Sequence, residues 1–372
     1  MKVVVLRNNL NDGLRVMGKI STEGTGVLPI LKNFLIETLN NKIKLSSTNL
    51  EMALMVFISG KIIENGGITI PLNVFGTIIG NLQAERINLE SDGDNLVVKT
   101  DNYEAKIQGL KKEDFPIIPQ IQNEDVRFDI SASRLKESFA FVVTAAQSSG
   151  LRPELNGVLF AFENGVLKIA ATDSFRLAET TLNENQFNST LEQGFRVIIP
   201  LKTAQEIARI LNEGDEKVSL YFNHNQVFLK TESAQAVSRL TAGEFPDYAA
   251  IIPKDVTTEI VLKNSELIGA LKLASAFTGR LNEVRIRVKD GAKNIEVFSA
   301  AQNLGENNYL IPAKIKGVGA EVVFNWRLLL DGLKGFGAED VLLGLSGDDK
   351  PAIVKSVADA SAFYILAPLK SA

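Results

Sequence analysis

The chain repeats itself three times, and no other feature constrains its fold as much. The first repeated signal is an amphipathic helix. Leu10, Leu14 and Met17 stand at i, i+4 and i+7, and Leu135, Phe139, Val142 and Leu267, Leu271, Ala274 keep the same spacing. Such spacing puts apolar side chains on one face of a helix, so each segment is expected to bury a stripe. The anchors Leu10, Leu135 and Leu267 lie 125 and 132 residues apart.

The second signal is a strand leading into another helix. IPLNVFGTIIGNL (70–82) parallels IPLKTAQEIARIL (199–211), with Pro71 and Pro200 129 residues apart. Each proline is expected to open a helix, where its missing N–H costs nothing. The third copy, FNWRLLLDGLKGF (324–336), has Asn325 as a candidate N-cap instead. A closing segment is the third signal: LKKEDFPIIP (110–119) parallels LTAGEFPDYAAIIP (240–253). A smaller echo sets LPILKNFLI (28–36) against RPELNGVLF (152–160).

These signals divide 372 residues into units of about 124, with expected domains 1–120, 121–252 and 253–372. Each unit reads helix, strands, helix, strands. The strands are β-branched-rich runs with turn residues between them, and Asn164-Gly165 supplies a two-residue hairpin turn. The expected class is α+β, with two helices packed on β-sheets in every unit. No βαβ alternation dominates, which argues against doubly wound and barrel folds.

Composition narrows the chemistry. With no cysteine there are no disulfides, thiolate nucleophiles or Cys-ligated metals, and a single histidine excludes a His cluster and argues against a His-paired triad. No phosphate-loop pattern occurs. His224, in NHNQ, reads as a turn residue, and Asp92 and Asp94 in SDGDN read as a hairpin turn rather than a calcium loop. The uncharged stretch 66–82 carries Pro71 and several polar residues, and the N-terminal apolar run is short, so neither a membrane span nor a signal peptide is expected. The expectation is a soluble cytoplasmic protein with no cofactor, no metal and no membrane partner.

The cluster ATDSFRLA (171–178) offers Asp173 and Arg176 as a conceivable acid and anion clamp. The plainer account is that Asp173 caps a turn and Arg176 pairs with it. On the expected helices, the faces opposite the apolar stripes carry basic groups, Arg15, Lys19, Arg134, Lys136, Lys202, Arg209, Lys272, Arg280, Arg327 and Lys334, with Asp12, Glu137, Glu206 and Asp331 as acidic exceptions. Against a net charge of −4 this bias suits loose backbone contact with nucleic acid, without sequence readout.

Taken together, the repeat and the motifs RPELNGVLF, ATDSFRLA, GEFPDY (243–248), FNWRLLLDGL (324–333) and FYILAPLK (363–370) resemble the bacterial DNA polymerase III beta subunit, the sliding-clamp family. The resemblance covers the whole chain. It implies a non-enzymatic protein of three clamp domains, whose head-to-tail homodimer is a six-domain ring. Helices line the hole and face double-stranded DNA, and the ring tethers the DNA polymerase III catalytic subunit. It also implies placement by a clamp loader, and binding of other polymerases and repair proteins through a short peptide motif. By motif, the peptide cleft comprises Leu155, Thr172, Ser174, Phe175, Arg176, Leu177, Pro246, Ala250, Ile251, Pro351, Ile365, Leu366, Ala367, Pro368 and Leu369. Ser174-Phe175 stands where Gly-His is frequent in the family, and Ala367 where methionine is usual. The implied dimer contact involves Tyr103, Ala105 and Ile107 on one side and Leu273, Ala276 and Phe277 on the other. Cleft residues such as Leu177, Pro246, Leu366 and Pro368 are expected to line an exposed apolar groove. The competing readings are a repeat-built scaffold that does not bind DNA and a hydrolase using Asp173 and Arg176.

Overall fold

The structure, a computed structural model, describes residues 1–18, 28–121, 126–146, 152–192, 194–211 and 217–370. Lys19 lies outside the described residues. Six α-helices are present among the described residues: α1 (Arg7–Met17), α2 (Leu72–Asn81), α3 (Ala132–Val142), α4 (Leu201–Ile210), α5 (Asn264–Ala274) and α6 (Trp326–Gly335). They fall on the three repeats in pairs. The expected apolar stripes are the buried ones: Leu10, Leu14 and Met17 in α1, and Leu267, Leu271 and Ala274 in α5. Asn325 caps α6, its side chain accepting from the Arg327 N–H.

The prolines sit one place earlier than the helix-start expectation. Pro71 ends the strand Gly67–Pro71, pairing with Asn33, and Pro200 ends Phe195–Pro200, pairing with Gly157. Both strands are sheet edges, where a residue without an N–H leaves no ladder bond unmade. Pro29 and Pro153 each open a short 3-10 turn, and Phe115 and Phe245 of the closing segments are both buried.

Contacts gather the chain into two compact units. The first comprises Met1–Lys136, Phe187–Glu192 and Glu206–Leu240. It holds a five-stranded antiparallel sheet ending in the edge strand Glu104–Gln108, and a nine-stranded antiparallel sheet. In the nine-stranded sheet Met52–Ile58 pairs with Ala234–Arg239, two strands far apart in sequence.

The second unit comprises Glu137–Gln186, Gln193–Gln205 and Thr241–Ala372. It holds a four-stranded sheet ending in the edge strand Gly305–Pro312, and its own nine-stranded sheet, in which Arg176–Leu182 pairs with Ala362–Leu366. Helix α6 packs closely on the last of these strands. A Cβ on Gly332 would stand 2.5 Å from the Tyr364 ring, and the Tyr364 hydroxyl donates to the Leu328 carbonyl at 2.8 Å. Only a glycine permits that approach.

The expected turns form. Asn164 and Gly165 both take positive φ, at 52° and 76°, in the hairpin Gly157–Glu163 to Val166–Thr172. His224 sits in the turn before Gln226–Lys230, where the Asn223 carboxamide oxygen accepts from the N–H groups of Asn225 and Gln226. Left-handed backbone is not used there, since neither Asn223 nor His224 is among the positive-φ residues.

Candidate peptide-binding cleft and nucleic-acid face

The candidate cleft is organised by the turn between Val166–Thr172 and Arg176–Leu182. Thr172 Oγ1 donates to the Arg176 carbonyl at 2.6 Å and accepts from the Ser174 N–H at 3.2 Å. Asp173 Oδ1 accepts from the N–H groups of Phe175 and Arg176 at 3.0 and 3.1 Å. These four bonds hold Ser174 in the left-handed region at φ 77°, a conformation that glycine adopts more cheaply.

Arg176 is almost entirely buried. Its Nε meets Asp173 Oδ2 at 2.9 Å and its Nη1 meets Asp331 Oδ2 of α6 at 2.8 Å. Burial works against the guanidinium charge, but Tyr364, Asp331 and Asp173 outweigh it and hold Arg176 above its ordinary pKa. The guanidinium therefore has a carboxylate on two sides within its own chain, and Asp173 caps its turn. That is the structural role set against catalysis above.

Leu177 enters a core cluster with Leu159, Ala170, Ile198, Phe245, Ile353 and Ile365, against which Tyr248, Ile252, Val256 and Phe363 pack. Here one expectation is corrected. Leu177 and Leu366 are both 0% exposed and Ile365 and Leu155 are also buried, so these four are core rather than groove surface. The cause is strand pairing: Leu177 opposes Ile365 and Arg176 opposes Leu366 within the nine-stranded sheet. The accessible residues are Phe175, at 65% exposure, with Ile251, Pro246 and Ala250; Pro351, Ala367, Pro368 and Leu369 are half-buried. The structure brings several of them together. The Ala367 N–H donates to the Phe175 carbonyl at 2.8 Å and the Leu369 N–H to the Val323 carbonyl at 2.8 Å, fixing Ala367 against the turn and Leu369 against the strand Ala320–Asn325.

Four further polar residues pack around the candidate cleft. Tyr248 donates to the buried Glu179, and burial together with that carboxylate raises the phenol pKa far above its ordinary value. Arg196 donates to the Phe245 carbonyl at 3.3 Å, and Asp331 completes the Arg176 pair. Tyr248 and Asp331 stand within the motifs GEFPDY and FNWRLLLDGL, but their partners lie 69 and 155 residues away, so no local pattern pairs them.

The basic residues are arranged as follows. Arg15, Arg134, Lys202, Arg209, Lys272, Arg327 and Lys334 are exposed on helices α1, α3, α4, α5 and α6, while Lys136 is half-buried. Arg280 is exposed in a turn after the 3-10 segment Ser275–Phe277, not on a helix. Arg209 pairs with Glu206 at 3.0 Å. Helix α2 carries no basic residue at all.

At the candidate dimer surfaces, Tyr103 is exposed just before the edge strand and Ala105 is half-buried within it, but Ile107 is only 5% exposed and faces its own core, a second correction. Alternation puts Ala105 and Ile107 on one face of the strand, and of the two Ile107 is the covered one. Val74 of α2, nearly half exposed, lies beside the same strand. In the second unit Leu273 and Ala276 are exposed, and Phe277 rests near Gly305 at the start of its edge strand. Leu304 and Leu310 add exposed apolar surface there.

Among the described residues no cluster of His, Asp or Glu could hold a metal ion, and no helix is long and apolar enough to cross a membrane. The fold defines a repeat-built α+β protein of helix pairs and antiparallel sheets. The chain belongs to the DNA polymerase III beta subunit family. The family's N-terminal domain matches residues 1–119, its central domain 129–247 and its C-terminal domain 249–370.

The beta sliding clamp of Chlamydia pneumoniae is 29% identical over 375 residues, covering 100% of this chain and 99% of that one. That of Bacillus subtilis is 26% identical, covering 100% of both. The crystal structure of the DNA polymerase sliding clamp from Bacillus subtilis superposes with a TM-score of 0.91 at 25% identity, again over 100% of both chains. Sliding clamps are non-catalytic, so the hydrolase reading is set aside.

Proposed function

We propose that this chain is a DNA sliding clamp that closes into a ring around duplex DNA as a head-to-tail homodimer of three-domain subunits. The observation that carries this reading is the end-to-end likeness to sliding clamps, over 100% of both chains. The domains are 1–120, 121–252 and 253–372. The three consecutive family-domain matches support these bounds, as does the recurrence of helix pairs. The apolar surface around Tyr103, Ala105 and Val74 of one copy meets Leu273, Ala276 and Phe277 of the other. Each side has an edge strand with unpaired N–H and C=O groups, which a second copy would cover. A heterologous contact made twice closes a ring.

DNA passes through the ring without sequence readout. Exposed Arg15, Lys202, Arg209, Lys272, Arg327 and Lys334 supply loose phosphate contacts on the helices. Polymerase III, other polymerases and repair proteins insert a short peptide over Phe175, Pro246, Ile251 and Pro368, above the Leu177–Ile365 core. A separate clamp loader opens the ring, which is consistent with the sequence having no phosphate-loop pattern of its own. The direct test is primer extension on a singly primed circular template. Adding this chain with loader and polymerase should lengthen the products, and products of unchanged length would contradict the reading.

A further inference from the structure

A second surface lies in the first unit, on the nine-stranded sheet where Met52–Ile58 pairs with Ala234–Arg239. A groove of about 780 Å³ opens there. Its floor is apolar: Met55 and Phe228 are buried, and Phe57 and Ile121 half-buried. Leu39 is 41% exposed at its mouth. Beside it Ala53, Tyr221, Phe228 and Val237 form a small core on which Ile118 and Ile121 pack, so the floor is fixed rather than collapsible. The volume is that of a site for a few side chains, not for a folded domain.

The charges around the groove specify an occupant. Lys44 is committed to the buried Glu37 at 3.3 Å, a carboxylate that Lys112 also holds at 2.6 Å. Lys42 and Lys230 are exposed on the rim and, among the described residues, have no carboxylate partner. Two uncompensated ammonium groups flanking an apolar floor match a ligand with acidic groups on either side of an aliphatic one. Glu232, on the same rim, would repel a continuous phosphate backbone but can be straddled by separated carboxylates.

We propose that this groove docks a short extended segment of a partner protein, acidic and aliphatic in composition, with its apolar side chain on Met55 and Phe228 and its carboxylates at Lys42 and Lys230. The site is separate from the Phe175 cleft and does not depend on the ring reading.

Methionine labelling makes the proposal directly readable. The sequence has four methionines, Met1, Met17, Met52 and Met55, of which only Met55 lines the groove. With the full chain labelled at its methionine methyls, the synthetic peptide Glu-Asp-Ile-Glu-Val-Asp should move the Met55 resonance saturably at low salt. It should leave Met1 and Met17 in place. Lys42→Glu with Lys230→Glu should weaken the titration by about tenfold or more while the remaining methyls report an unchanged fold. The Gln/Asn version of the peptide should move nothing. A Met55 methyl that stays still would overturn the proposal. So would a shift insensitive to the lysine reversals, or duplex DNA displacing the peptide from Met55. A changed sedimentation coefficient in the double variant would do so too, because the groove would then be a contact between copies of this chain.

Discussion

In each nine-stranded sheet the strand pair most distant in sequence is a joint between repeats, and the two joints occupy matching places in the repeat. Met52–Ile58 is to its unit what Arg176–Leu182 is to the other: Ala53 opposes Val237 as Leu177 opposes Ile365. The turns before these strands match bond for bond. Asn49 Oδ1 accepts from the N–H groups of Glu51 and Met52, as Asp173 Oδ1 does from Phe175 and Arg176. Thr48 Oγ1 donates to the Met52 carbonyl as Thr172 Oγ1 does to that of Arg176. Leu50, like Ser174, is left-handed, with φ 72°.

The difference lies in what the shared frame carries. Where the first joint has Asn49, Met52 and Met55, the second has Asp173, Arg176 and Glu179. The backbone does not demand charge here, because the neutral version folds the same turn. Buried charges are costly unless paired, and each of these is paired: Arg176 with Asp173 and Asp331, Glu179 with Tyr248. We read the charged set as an orienting device that fixes the Phe175 turn to α6 beside the proposed peptide cleft.

Substitutions that exchange the two joints test that contrast. Arg176→Met imports the first joint's residue and strands the Asp173 carboxylate, so it should cost about 3–5 kcal/mol in urea unfolding. Adding Asp173→Asn should recover much of this, and a double variant no better than the single would break the comparison. Leu177→Ala imports Ala53 and leaves a cavity in a fully buried site, for about 3 kcal/mol. Because of that, Leu177→Ala reports on stability rather than on peptide contact. Ile251→Ala, at an exposed position, is the cleaner probe: peptide affinity measured by calorimetry should fall while the melting temperature holds.

A smaller effect is expected in the first unit at low pH. Burial pushes the Glu37 carboxyl up, but Lys112 and Lys44 outweigh it and hold its pKa below the ordinary value. A carboxylate with a lowered folded pKa stabilises above its unfolded pKa, and that contribution is lost as pH falls through the folded value. Glu37→Gln should therefore cost about 1 kcal/mol or less at neutral pH, and the gap to wild type should close below about pH 4. A gap that widens on acidification would contradict this sign.

Much of the fold was legible because helical periodicity and the Phe-Pro closing segments are local signals. Leu10, Leu135 and Leu267 are all fully buried, and Phe115 and Phe245 are both buried. The cleft was legible only in part. Its positions could be carried over by motif, but the burial of Leu177 and Leu366 depends on a strand pair almost 190 residues apart in sequence, which no local pattern encodes. One signal was present and unread. TNLEM (48–52) against TDSFR (172–176), 124 residues apart, shares the threonine and the Asx residue that build the turn. Aligning them would have identified Arg176 as the departure from a neutral frame, and so as the residue needing buried partners.

Encirclement of DNA is a topological property, and retention on closed circles measures it. The chain should be loaded on nicked circular DNA with a clamp loader and passed over a sizing column at a salt concentration that abolishes simple phosphate contacts. The account predicts that protein elutes with the circle and is released when a restriction enzyme linearises it. Release from intact circles at that salt, or equal retention on circles and linear DNA, would contradict it.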